Sequence, residues 1–367
     1  MTQFGVQKTP WRYPLMASAV IALIAGLWSG LFRIGWAIDA LRPTLPMAHG
    51  PLMICGFLGT LISLERAVAL DRLWAYAAPA ATGLGGILLI AGVGTWQGPM
   101  LITMGSVLLG AIFVAVLRIQ AQTFVVVMML GAVSWFAGNV FWLLGQPVFG
   151  VVHWWIGFLV LTIAGERLEL SRMLLHAPRV QRLFLGIAGL LVVGMIVTSV
   201  ARDAGMRLTG AALIALALWL FFYDVARHTI RQTGLTRFIA VCLLAGYFWL
   251  GAGGLLALGY GGVIAGPVYD ALLHAVFVGF VFSMIFGHAP IIFPSVLGTP
   301  LFYRPFFYAH VALLHVSFVL RMVGDLGGGL YVRQWGGMLN AVAILLFLAS
   351  TIASVRAGKP TRLKAGS

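Results

Sequence analysis

Two histidines, His274 and His288, stand fourteen positions apart in an apolar stretch that runs PVYDALLHAVFVGFVFSMIFGHAPIIFP from Pro267 to Pro294. Between them lies Gly279, nine positions before His288. The same frame occurs twice earlier in the chain. Gly56 precedes Glu65 by nine positions in GFLGTLISLER, and Gly157 precedes Glu166 by nine in GFLVLTIAGER. A histidine precedes each copy, at His49, His153 and His274. Imidazole and carboxylate are the side chains that ligate transition metals and exchange protons near neutral pH. Recurrence in one frame places them at equivalent points of one recurring unit.

His310 and His315 add two more imidazoles in apolar sequence, whereas His176 and His228 lie among arginines and read as solvated loop groups. A single intramembrane histidine commonly does no more than hydrogen-bond a neighbouring helix. Six of them, with three in equivalent positions, predict that at least two hold a metal or a haem. Glu65 and Glu166 read in two ways. They form a polar layer, or they are ordinary charge pairs with Arg66 and Arg167 at helix ends. Met53, Met128, Met129 and Met284 are soft donors that read first as packing. Cys55 and Cys242 lie in apolar segments with no CxxC or zinc spacing. No phosphate-binding glycine loop, dinucleotide fingerprint or nucleophile triad is visible.

The composition dictates what must position these groups. The 367 residues are 61% hydrophobic and 9% charged, with mean hydropathy +1.03. A soluble domain carries about a quarter charged residues, so this chain cannot cover a water-facing surface. Backbone polar groups in lipid must be satisfied within helices or closed barrels, and the apolar runs are long enough for helices. Twelve spans are expected at 14–37, 47–70, 73–94, 99–121, 123–145, 150–175, 183–201, 207–228, 235–260, 267–290, 304–324 and 330–355, in a single integral membrane domain over 1–367. The net charge of +14 reads as loop arginines of a membrane protein, not as a nucleic-acid surface. Lys8 and Arg12 precede a first span with no convincing cleavage site, which predicts a retained helix.

With the N-terminus inside, only Arg33, Arg42, Arg202, Arg207, Arg321 and Arg333 of the 23 basic residues fall outside. That bias predicts both termini in the cytoplasm. The three frames fall on helices 2, 6 and 10, so the unit is four helices, with repeats over 14–121, 123–228 and 235–355. An even number of helices per unit makes the copies parallel, related by a pseudo-threefold axis along the membrane normal. The preceding helices rhyme as well, in Trp28-Ser-Gly30, Trp135-Phe-Ala-Gly138 and Trp249-Leu-Gly251. His49, His153 and His274 then share the outer depth, with Glu65, Glu166 and His288 about 20 Å deeper. Facing is less consistent: on ideal helices His49 and Glu65 are about 160° apart, as are the frame positions of His49 and His274.

Twelve helices in three four-helix units, with histidines on helices 2, 6 and 10, resemble the catalytic subunits of haem–copper oxidases and nitric oxide reductases. The resemblance implies His49 and His274 as axial haem ligands and His153 as a copper ligand. Helix 7 here carries no histidine, and the two on helix 10 are fourteen apart instead of two, so the oxygen-reducing site of that family is not reproduced. His274-Ala275 and Gly287-His288 also resemble the opening and closing pairs of a helix in the NnrS family, twelve-helix bacterial membrane proteins that contain haem and copper. The resemblance implies a bacterial inner-membrane protein in nitric oxide or respiratory redox metabolism, with an electron donor or small gaseous ligand as partner. Should the outer histidines not serve, His288 with His310 is the next metal site to expect, with His315 nearer mid-membrane. The competing classes are a transporter of a small solute or metal ion, with histidines along its path, and a metal-free assembly subunit.

Overall fold

The computed structural model describes residues 11–39, 42–174 and 177–356, with only the backbone of Met173. His176, Lys8, Lys359, Arg362 and Lys364 lie outside the described residues. Among those described there is no strand, and twelve helices are long and apolar enough to cross a membrane. They are α1 Arg12–Arg33, α2 Leu45–Leu70, α3 Leu73–Ala91, α4 Gln97–Ile119, α5 Thr123–Leu143 and α6 Val148–Ser171. They continue as α7 Pro178–Val200, α8 Arg202–Tyr223, α9 Gly234–Tyr260, α10 Pro267–Leu297, α11 Phe307–Gly327 and α12 Leu330–Arg356. The chain is a multi-pass, all-α membrane protein.

Helix ends follow local chemistry. Gly92, at φ 62°, closes α3 in the left-handed conformation. Its N–H donates to Leu89 O and that of Val93 to Leu88 O, which satisfies carbonyls the helix leaves open. Proline at the first position starts α7 and α10. Pro290 and Pro294 do not end α10, which continues to Leu297, seven residues beyond the expected boundary.

Burial sorts the helices into a centre and a rim. Within the most apolar window, 61%, 78% and 67% of residues are buried in α2, α6 and α10, against 56% or less in the other nine. The three helices that carry the histidine frame are therefore the central ones. Their neighbours approach closely at or near the frame glycines. A methyl group at Gly279 would strike the Trp249 indole and one at Gly157 the Met195 side chain, while in α2 it is Gly59, three after the frame glycine Gly56, that faces the Trp135 indole. Small residues at these crossings let the flanking helix carry a large side chain across the central one.

Candidate functional site

Two of the central helices are not α-helical throughout. Leu52–Gly59 of α2 and Ala275–Phe282 of α10 are π-helical. Each segment starts four residues before its frame glycine, Gly56 or Gly279, and ends three after it. α6 is α-helical from Val148 to Ser171. Bonding from i to i+5 winds the chain wider, with fewer degrees of rotation per residue, and so rotates the two flanking α-helical parts against each other. This changes the facing expected from ideal helices. His49 and Glu65 both line cavities at the centre, at opposite ends of α2. The rings of His49 and His274, from positions that differ by two in the frame, lie 6.1 Å apart between centroids with planes 19° from parallel. Phe57 and Phe282 stack at 6.1 Å within the two π-segments.

Both rings line one cavity of about 710 Å³, a size in the range of small-molecule and cofactor sites. His49 Nδ1 lies 2.8 Å from Gly26 O, and His274 Nδ1 lies 2.8 Å from Asp270 O. A carbonyl oxygen only accepts, so each Nδ1 carries the proton and each Nε2 keeps its lone pair. Asp270 adds a second oxygen, Oδ1, 3.3 Å from His274 Nδ1. Its Oδ2 accepts from Arg321 Nη2 at 2.7 Å and Nε at 3.0 Å. Arg321 Nη2 also reaches His274 Nε2 at 3.3 Å. Arg333 lies 3.5 Å from Asp270 and 2.7 Å from Asp325. Arg33, Arg321 and Arg333 all line the cavity, whose other walls are mainly aliphatic and aromatic.

A second cavity, of about 70 Å³, lies between the same three helices. Its walls include Leu58, Leu61, Ile62 and Glu65 of α2; Leu159, Thr162, Ile163 and Glu166 of α6; and Val281, Met284, Ile285 and His288 of α10. These are positions two, five, six and nine after Gly56, Gly157 and Gly279. Leu58 lines both cavities. Arg66 bridges Glu65, at 3.3 Å, and Glu166, so the glutamates face the centre and are also paired. Beside them Arg167, 2% exposed, holds the fully buried Asp224 at 2.9 Å. Its Nη1 donates to His288 Nε2 at 3.0 Å, and His288 Nδ1 donates to Met284 O at 2.7 Å. Both ring nitrogens of His288 are thus engaged.

The other histidines stand apart. His153 turns to α7, where its Nε2 lies 3.1 Å from Ser199 Oγ, and its Nδ1 is buried without a partner. His310 is buried against Phe286, Phe307 and Phe347, and its Nδ1 lies 3.3 Å from Ser350 Oγ. His315 Nδ1 accepts from Trp249 Nε1 at 3.0 Å. Among the described residues no three His, Cys, Asp or Glu side chains gather as a metal-binding group. Ser199 offers His153 a hydroxyl and Trp154 an indole. Sequence reasoning missed Asp270, Arg321 and Arg333 as site residues, and Asp224 as the partner of Arg167. Asp270 could have been found: it precedes His274 by four, one helical turn.

Residues 12–356 match the family described as domain of unknown function DUF8744, and the chain belongs to that family. No curated protein matches it.

Proposed function

We propose that this chain binds haem in a cytoplasmic membrane through His49 and His274, and serves nitric oxide or respiratory redox chemistry. The observation that carries the proposal is the pair of nearly parallel imidazoles, 6.1 Å apart, in one large cavity. Two opposed metal–imidazole bonds of about 2.0–2.1 Å each require ring centres roughly 6 Å apart. Both rings have the tautomer that leaves Nε2 free to ligate, each fixed by a backbone carbonyl, as metal-binding histidines commonly are. The contact of Arg321 with His274 Nε2 is the one that ligation replaces, and Arg321 keeps both bonds to Asp270. A bare ion needs no cavity of this size. An apolar cavity with three arginines suits a large apolar group that carries carboxylates.

Haem, when bound, supplies one-electron chemistry and a position for small ligands. The protein groups hold and orient it: His49 and His274 ligate, Arg33 and Arg333 offer charge to its carboxylates, and apolar walls limit water. Copper has no place in this reading. Three parallel four-helix repeats are part of it, supported by the twelve matching frame positions around the smaller cavity. So is kinship with the NnrS and haem–copper oxidase proteins, and a bacterial inner-membrane location with both termini inside, supported by the loop arginines. A second reading, a transporter of a small solute or metal ion, is favoured by the two cavities that meet at Leu58 along the central helices.

The test is the absorption spectrum and haem content of the purified chain. A Soret band with the split visible bands of a six-coordinate low-spin haem is expected, with loss of haem in His49→Ala with His274→Ala together and retention in His153→Ala. A colourless protein that takes up no added haem refutes the proposal and leaves the transporter reading.

A further inference from the structure

The two histidines are held in unequal ways. His274 Nδ1 faces two oxygens of Asp270, the carbonyl at 2.8 Å and Oδ1 at 3.3 Å. Asp270 is fixed in turn by Arg321 of α11 and Arg333 of α12. A carboxylate that shares the ring N–H orients an imidazole and strengthens it as a donor. His49 Nδ1 has one neutral partner, Gly26 O. It stands in the three-residue helical segment His49–Pro51, between a 3₁₀ turn, Leu45–Ala48, and the π-segment. Its ring is bounded by Gly30, where a methyl group would lie 2.8 Å from Cε1.

We propose that His49 is the exchangeable member of the pair, and that its departure opens a site for a small uncharged ligand while His274 stays in place. This rests on the haem reading above. His49 breaks one hydrogen bond to a carbonyl when it swings away, and the adjoining cavity gives it room. His274 cannot leave without disturbing a network that joins α10, α11 and α12. Leu27, Met53 and Val148 form apolar cavity walls on the His49 side, and the charge there, Arg33, is the one offered to the haem carboxylates in this reading, so a diatomic or another neutral donor no larger than imidazole fits best. The exchange is balanced in itself. One nitrogen–metal bond breaks, one ligand–metal bond forms, and no electron or proton is transferred.

Carbon monoxide on the reduced, haem-loaded full chain is the probe. If His49 occupies its position nine-tenths of the time or more, its removal raises carbon monoxide affinity about tenfold or more. His49→Ala should therefore retain haem, bind carbon monoxide more tightly and lose that gain when imidazole is added. His274→Ala, which removes the member held by Asp270, should hold haem far less well than His49→Ala at equal expression. A second measurement needs no histidine variant: after photolysis of the carbon monoxide complex, the vibration of the remaining metal–imidazole bond should shift in Asp270→Asn. Haem kept in His274→Ala but lost in His49→Ala, or an unshifted vibration in Asp270→Asn, overturns the exchange while haem binding stands. A chain that takes up no haem overturns both, and is told apart by its lack of a Soret band.

Discussion

Asp224 offers a test that does not depend on any cofactor. It is fully buried, and its carboxylate holds Arg167, which is 2% exposed. Asp224 Oδ2 accepts from Arg167 Nε at 2.9 Å, and Oδ1 accepts from Nη2 at 3.4 Å and from the Ala226 N–H at 2.7 Å. Replacement by alanine removes these acceptors and leaves the guanidinium its contact with His288 Nε2 but no counter-charge at hydrogen-bond distance. Breaking a buried ion pair from one side costs about 3–5 kcal/mol. Asp224→Asn keeps one acceptor oxygen but no charge, and should lose about 1.5–3 kcal/mol, the worth of a hydrogen bond to a charged group. Arg167→Met with Asp224→Leu removes both charges and replaces them with apolar volume, and should lie within about 1–2 kcal/mol of the parent protein. The assay is the denaturant midpoint of unfolding in mixed micelles, with the slope compared among variants. The reasoning is refuted if Asp224→Ala unfolds with the parent, or if the double variant is as unstable as the two single losses added.

Gly30→Ala places a methyl group 2.8 Å from His49 Cε1, inside contact distance. It should turn the ring from Gly26 O and weaken haem binding about 10–100-fold, the usual effect of disturbing a ligand's support. Gly110→Ala, with nothing within 4 Å of the added carbon, should leave the haem spectrum unchanged, and equal effects at both positions would contradict the steric argument. Reporter fusions after Gly94 and Gln146 should read outside the cytoplasm and one after Ala177 inside; the reverse pattern would invert the site's side of the membrane.

The helices were readable because lipid imposes one rule on every span: about 20 apolar residues with no internal break. The central position of α2, α6 and α10 was also within reach, since Gly59, Gly157 and Gly279, in or beside the recurring frame, accept indoles or a thioether from neighbouring helices. The mutual facing of His49 and His274 was not. A π-segment is built from the same apolar residues as an α-segment and leaves no period or composition that betrays it. Arithmetic at 100° per residue therefore set the two histidines on different sides. The acidic partners escaped for a different reason. Asp224 meets Arg167 across 57 positions, and nothing local connects them. Charge counting places Arg321 and Arg333 on the outer side, but it gives the side of a residue and not its neighbour.

Backbone winding accounts for a frame that recurs three times in the sequence yet brings two imidazoles together and not three. α2 and α10 widen over matching eight-residue segments, and the histidine that precedes each segment lines the large cavity. α6 keeps α-helical winding, and His153, four positions before Gly157, faces Ser199 of α7 instead. The residue type is the same in all three copies, at seven, four and five positions before the glycine, so backbone winding and offset together decide which imidazoles meet. Below the frame glycines the order reverses. From position four onward all three helices are α-helical, and positions five, six and nine of each copy, with position two just before them, surround one small cavity. The half of the centre around the smaller cavity thus holds Glu65, Glu166 and His288 tied by Arg66 and Arg167, while the half around the larger cavity holds the histidine pair. If the π-segments create the pair, an alteration that restores α-helical winding in one of them, such as deletion of a single residue between Leu52 and Phe57, should rotate His49 from the cavity. The six-coordinate spectrum should then be lost, with haem left on His274, while the chain still inserts and folds. Retention of the six-coordinate spectrum by such a variant would mean that the pair forms without the wider winding, and the structural origin of the asymmetry would have to be sought in α6.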